Sequence, residues 1–73
     1  MQSFIAGLIA KQGTMSGRKF AQSLGISPAE WSRMRLGRRE PSKRIQQIAI
    51  ARWPDLVFAL MEDAKAGQKE SAA

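Results

Sequence analysis

The sequence predicts a small all-α domain of five short helices. Three observations predict it. Apolar residues recur three and four apart along most of the chain. Each such run is opened or closed by glycine or proline. No stretch alternates apolar and polar residues as a half-buried strand would. Seventy-three residues allow a single core, and no repeat or low-complexity linker divides them.

The first helix is expected over about Gln2 to Gln12, with Phe4, Ile5, Leu8 and Ile9 on one face and Gly13 as its left-handed stop. The second starts from Ser16 as N-cap and is closed by Gly25 after Leu24. This start puts Met15 at N′ and Phe20 at N4, the positions of a hydrophobic staple. The third repeats the device. Ser27 as N-cap places Pro28 at N1, where a missing N–H costs nothing. It also places Glu30 at N3, which completes an S-x-x-E capping box, and Ile26 staples onto Trp31. This helix should end between Met34 and Leu36, with Gly37 beyond it. The second helix (about 16–24), the turn Gly25-Ile26-Ser27 and the third helix (about 28–36) make a helix-turn-helix pattern.

The fourth helix is expected from about Ser42 to Trp53, reached through Glu40-Pro41, with Ile45, Ile48, Ala49 and Trp53 facing inward. The fifth opens with Pro54 near N1 and Asp55 in its first turn, where a carboxylate suits the helix dipole. Leu56, Val57, Leu60, Met61 and Ala64 form its apolar stripe and Gly67 its stop. The domain therefore spans 1–67, and 68–73, "QKESAA", is expected as a disordered tail.

Cysteine and histidine are both absent, which removes disulfides, thiolate and imidazole metal sites, and the commonest general base. No nucleophile, base and orienting group can be assembled from what remains, so the chain is read as a non-enzyme without metal or cofactor. No run approaches the roughly 18 apolar residues of a membrane span, and no signal peptide opens the chain. No membrane partner is expected, and the expected location is cytoplasmic.

The net charge of +6 is unevenly distributed. Residues 1–53 carry ten Lys and Arg against Glu30 and Glu40, whereas residues 54–73 carry Lys65 and Lys69 against four carboxylates. The positive charge concentrates in "SPAEWSRMRLGRREPSKR", residues 27–44, which suggests a polyanionic partner on one side of the domain. A solvated basic face is the alternative.

At about 100° per residue, Trp31 and Met34 fall on one side of the third helix, and Ala29, Ser32, Arg33 and Leu36 on the other. Trp31 is read as an anchor to Phe20, Ala21 and Leu24. Its other reading is a stacking platform for an exposed base. The outward face is small enough to enter a DNA major groove. There Arg33 is placed to donate two bonds to guanine O6 and N7, Ala29 to meet a thymine methyl, and Ser32 to reach a base or a phosphate. Pro28 stands at the leading edge. Arg35, Arg38, Arg39, Lys43 and Arg44 follow into the loop and the fourth helix, where they would grip phosphates without reading sequence. Leu36 would cover backbone near the groove wall. Ser16, Arg18 and Lys19, beside the first turn of the second helix, and Ser27 offer further phosphate contacts.

Residues 16–49, "SGRKFAQSLGISPAEWSRMRLGRREPSKRIQQIA", resemble the lambda-repressor-like helix-turn-helix family of the Cro/CI or XRE type. The matching elements are Ser16 opening the second helix, Phe20-Ala21, Leu24 to Ser27, Trp31, Ser32-Arg33, Gly37 and Pro41-Ser42. The match covers almost half the chain. It implies a compact five-helix DNA-binding domain that regulates transcription, commonly as a dimer on a pseudo-palindromic operator, in phages, plasmids or toxin–antitoxin loci. By position it implies base reading at Pro28, Ala29, Glu30 and Arg33, and backbone contacts at residues 36–39. Glu30 thus has two readings, the capping box and a contact to cytosine N4. Gly17 departs from the glutamine common in the family, and Pro28, Ala29 and Leu36 lack the polar groups often found there, so readout would lean on Arg33, van der Waals contact and DNA shape.

Phe58, off the stripe of the fifth helix, and Ile50, at the edge of the fourth, are candidate dimer contacts. Their alternative is ordinary surface exposure. The expected function is a sequence-specific double-stranded DNA-binding regulator, most simply a Cro-like repressor acting by operator occupancy as a homodimer. The alternative is a DNA-binding antitoxin that also holds a protein partner, and a third class is nonspecific architectural or RNA binding.

Overall fold

In a computed structural model the backbone is described for residues 2–72 and the side chains for residues 2–66. Five helices follow one another: α1 (Gln2–Gln12), α2 (Gly17–Leu24), α3 (Pro28–Arg35), α4 (Lys43–Arg52) and α5 (Leu56–Ala72). There is no strand among the described residues.

Local chemistry accounts for most of the boundaries. The Ser16, Ser27 and Ser42 hydroxyls accept from the main-chain N–H of Lys19, Glu30 and Ile45 at 3.2, 3.1 and 3.3 Å, which caps α2, α3 and α4. At the other ends, Gly25 and Gly37 adopt φ of 73° and 75°, a conformation that glycine enters without steric cost. Each closes a Schellman motif. Ile26 N–H donates to Ala21 O and Gly25 N–H to Gln22 O after α2, and Arg38 N–H donates to Arg33 O and Gly37 N–H to Met34 O after α3.

The core is Phe4, Ile5, Leu8, Phe20, Ala21, Leu24, Trp31, Met34, Ile45, Ala49 and Leu56, with Ile26, Ile48, Ile50, Trp53, Ala59 and Leu60 packed against it. Phe20 lies between two indoles, tilted 55° to Trp31 at 4.8 Å and stacked at 17° to Trp53 at 5.8 Å. The Trp31 indole N–H donates to Gln12 Oε1, and the same amide donates through Nε2 to Met15 O. One glutamine therefore satisfies the buried indole and closes the α1–α2 turn.

α5 runs back along α1. Leu56 packs over Gly7, Asp55 pairs with Lys11 at 3.1 Å, and Asp63 accepts the N–H groups of Ser3 and Phe4 at 2.9 and 3.0 Å. A carboxylate from the last helix thus caps the first, where N–H groups are unpaired and the dipole is positive.

The structure corrects several expectations. Ile9 is 42% exposed rather than core, because α5 covers the Phe4-Leu8 side of α1 and leaves Ile9 at the edge. Met15 is exposed, and the ring partners of Phe20 are the two tryptophans. α5 begins at Leu56, since Trp53, Pro54 and Asp55 form a tight turn whose carbonyls accept from Leu56, Val57 and Phe58. Its inward face is Leu56, Ala59, Leu60 and Asp63, while Val57, Met61 and Ala64 are exposed. The close approach of Leu56 to Gly7 and the Asp63 cap fix this rotation. The helix continues past Gly67 to Ala72, because the flanking Ala, Lys, Gln and Glu favour a helix and an internal glycine costs only about 1 kcal/mol. The tail expected at 68–73 falls on residues whose side chains lie outside the described residues, as does Ala73 entirely.

Candidate nucleic-acid interface

The candidate surface is built on α3, whose two faces diverge. Trp31 and Met34 are 2% and 0% exposed, anchored among Phe20, Leu24 and the rest of the core. An indole so enclosed has no face for a base, so the stacking role does not apply. On the outer face Ala29, Ser32 and Arg33 are exposed, and Pro28 at the first position of α3 and Arg35 at its last, beside α1, are exposed as well. The anchored face holds these side chains on a rigid element, so their spacing is that of the helix itself.

Leu36, at 61% exposure, follows α3 and begins a loop that carries Arg38 and Arg39. The loop is braced at both ends. Its start is closed by the turn at Gly37. Its end is held by buried Pro41, whose carbonyl accepts from Gln46 Nε2 at 3.0 Å, and by the Ser42 cap. Lys43 and Arg44 lie exposed in the first turn of α4. Ser16, Arg18 and Lys19 are exposed at the start of α2, as is Ser27. The Ser16 and Ser27 hydroxyls accept from their own helices, which leaves each O–H hydrogen to donate outward.

Glu30 differs from its neighbours. Its main-chain N–H is held by Ser27, but no return bond from its carboxylate to Ser27 N–H closes the capping box among the described residues. The carboxylate instead lies 3.6 Å from Arg39 Nη2. Sequence reasoning gave Glu30 and Arg39 separate roles and missed the pair, since residues nine apart across a glycine turn leave no periodic signal. It also missed Arg52, whose guanidinium donates to Ser23 O at 2.9 Å and lies over the Trp53 ring at 4.7 Å. That cation therefore ties α4 to α2.

Phe58 is 67% exposed, next to exposed Val57 and Met61, whereas Ile50 is half-buried against the core. Among the described residues no group of three or more carboxylates has metal-binding geometry, and no helix is long and apolar enough to cross a membrane. No protein-family model, no curated protein and no solved structure matches the chain.

Proposed function

We propose that this protein is a sequence-specific double-stranded DNA-binding regulator of transcription of the lambda-repressor-like helix-turn-helix type, most simply a Cro-like repressor that occupies its operator as a homodimer. The observation that supports this reading is the division of α3. Its aromatic face is locked in the core, and its small, Arg33-bearing face is exposed, with exposed cations before it in the chain at Arg18 and Lys19 and after it at Arg38, Arg39, Lys43 and Arg44. In the proposed complex α3 lies in the major groove. Arg33 donates to guanine O6 and N7, worth about 1–3 kcal/mol of discrimination, Ala29 meets a thymine methyl, Ser32 reaches a base edge or a phosphate, and Pro28 packs at the leading edge. Arg35, Arg38, Arg39, Lys43 and Arg44, with Ser16, Arg18, Lys19 and Ser27, hold phosphates and set the register. Two copies joined through α5 would present their α3 helices about 34–36 Å apart, one turn of duplex. The protein would then reside in the cytoplasm, on the nucleoid.

A second reading adds a protein partner to the same DNA surface, as in an antitoxin. It is favoured by the exposed Val57, Phe58 and Met61 on a helix that also carries Glu62 and Asp63. Binding titrations of the purified chain against double-stranded DNA, single-stranded DNA and double-stranded RNA at two salt concentrations test the first reading. It expects duplex DNA to be preferred and some sequences to be held at high salt. Equal, salt-labile binding to all three would contradict it.

A further inference from the structure

We propose that Glu30 is a specificity-determining residue that acts through Arg39. Its carboxylate withholds that guanidinium from phosphates until base contacts by α3 hold protein and DNA together. The inference rests on the DNA-binding reading above. Glu30 and Arg39 lie 3.6 Å apart, with side chains 25% and 50% exposed. Glu30 is fixed at the first turn of α3 by the Ser27 cap and lines, with Ser42 and Arg44, a hollow of about 130 Å³ between the α2–α3 turn and α4. Glu30 therefore stands beside Arg39 and, across the hollow, Arg44, two members of the phosphate-gripping set. Among the described residues, Arg33, Arg35, Arg38, Lys43 and Arg44 have no ion pair, so within this set Arg39 alone carries an internal counter-charge.

The consequence follows from counterion release. Each phosphate neutralised by a protein cation frees a condensed ion, and log K falls by about 0.9 per phosphate for each decade of salt. While Arg39 stays with Glu30 it neutralises no phosphate. On arbitrary duplex, where no base contact holds α3 in the groove, Arg39 stays paired and the chain binds as though it had one cation fewer. A pair this exposed is weak enough for a well-seated phosphate to displace it. On a cognate site, where base contacts hold α3 in the groove, Arg39 is given up. The pair lowers nonspecific affinity more than specific affinity.

The test measures the salt dependence of binding to a random-sequence duplex for the full chain and for Glu30→Gln, Glu40→Gln, Arg39→Gln and the Glu30→Gln/Arg39→Gln double variant. Glutamine at residue 30 leaves the Ser27 cap in place, since that bond is made to the main-chain N–H of residue 30. Glu40→Gln removes an equal charge that has no ion pair among the described residues. The expected result is tighter binding by Glu30→Gln with a slope steeper by roughly 0.9, so that its advantage is about 3.5-fold larger at 50 mM than at 200 mM salt. Glu40→Gln should change the slope by less than half as much, and Glu30→Gln should have no effect once Arg39 is glutamine. Equal effects of Glu30→Gln and Glu40→Gln, or an effect that survives Arg39→Gln, would reduce Glu30 to general charge and overturn the inference. An unchanged slope with loss of preference at a single base pair, measured on selected sequences, would make Glu30 a base reader and also overturn it. If the unaltered chain binds no duplex at either salt, the DNA-binding reading fails first and takes the inference with it.

Discussion

Trp31 and Arg33 stand two positions apart on α3, about 200° around the helix, so one side chain can be fully buried while the other faces solvent. What makes the buried position affordable for an indole is Gln12, which accepts its N–H at 3.2 Å. Replacing Gln12 with leucine leaves that donor unpaired and opens the Met15 turn. Urea denaturation is expected to show a loss of about 1–2 kcal/mol. The role of Trp31 was legible in the sequence because Ser27 fixes the phase of α3 through its cap. The partnership with Gln12 was not, since it spans 19 residues and glutamine carries no mark of such a bond. The same holds for Glu30 and Arg39. The sequence reads Glu30 as a cap or a base contact and Arg39 as a phosphate contact, but their pairing depends on how the chain turns back after Gly37.

At the scale of elements, α2, α3 and the turn between them follow from short-range chemistry: serine caps, a proline at N1 and glycines that take a left-handed φ. These signals act over three or four residues, so the sequence alone places them well. α5 is different. "LVFALM" is apolar around the whole helix, so its period selects no inward face, and the choice is made by contacts with α1. Gly7, under Leu56, and Asp63, which caps α1, make that choice. A Cβ at Gly7 would stand 2.5 Å from Leu56 Cδ2 in the core, whereas one at Gly17 would meet Trp31 at an ordinary 3.5 Å. Gly7→Val is therefore expected to cost on the order of 2 kcal/mol, and Gly17→Ala to leave stability unchanged or slightly higher, as read by thermal unfolding. Asp63→Ala removes the cap on α1 and is expected to cost about 1 kcal/mol in urea. Hydrogen exchange in that variant should show faster opening of the first turn of α1 before the rest of the molecule.

At the scale of the whole molecule, charge and shape divide together. The part of the chain up to residue 53 carries ten of the twelve Lys and Arg, while the last helix carries three of the six carboxylates, Glu62, Asp63 and Glu70, and leaves Val57, Phe58 and Met61 exposed. A radius of gyration of 12.3 Å and a long axis of 40 Å against 24 and 21 Å fit a helix that extends past its partner α1. In the proposed dimer this exposed face of α5 is buried against a second copy. Phe58→Glu is expected to shift sedimentation from dimer to monomer with the fold's stability changed by no more than about 0.5 kcal/mol, since the residue is outside the core. A wild-type monomer, or an unaltered dimer in the variant, would remove Phe58 from that role.

In the proposed complex α3 reads DNA through Arg33. The most direct test is selection from a randomised duplex pool by the wild-type chain and by Arg33→Ala, with competitor DNA present. The wild type should enrich a short inverted repeat, and the variant should lose preference at one base pair in each half-site while still folding and still binding phosphate. Enrichment of nothing by either protein, or the same repeat with the same preference from both, would contradict it.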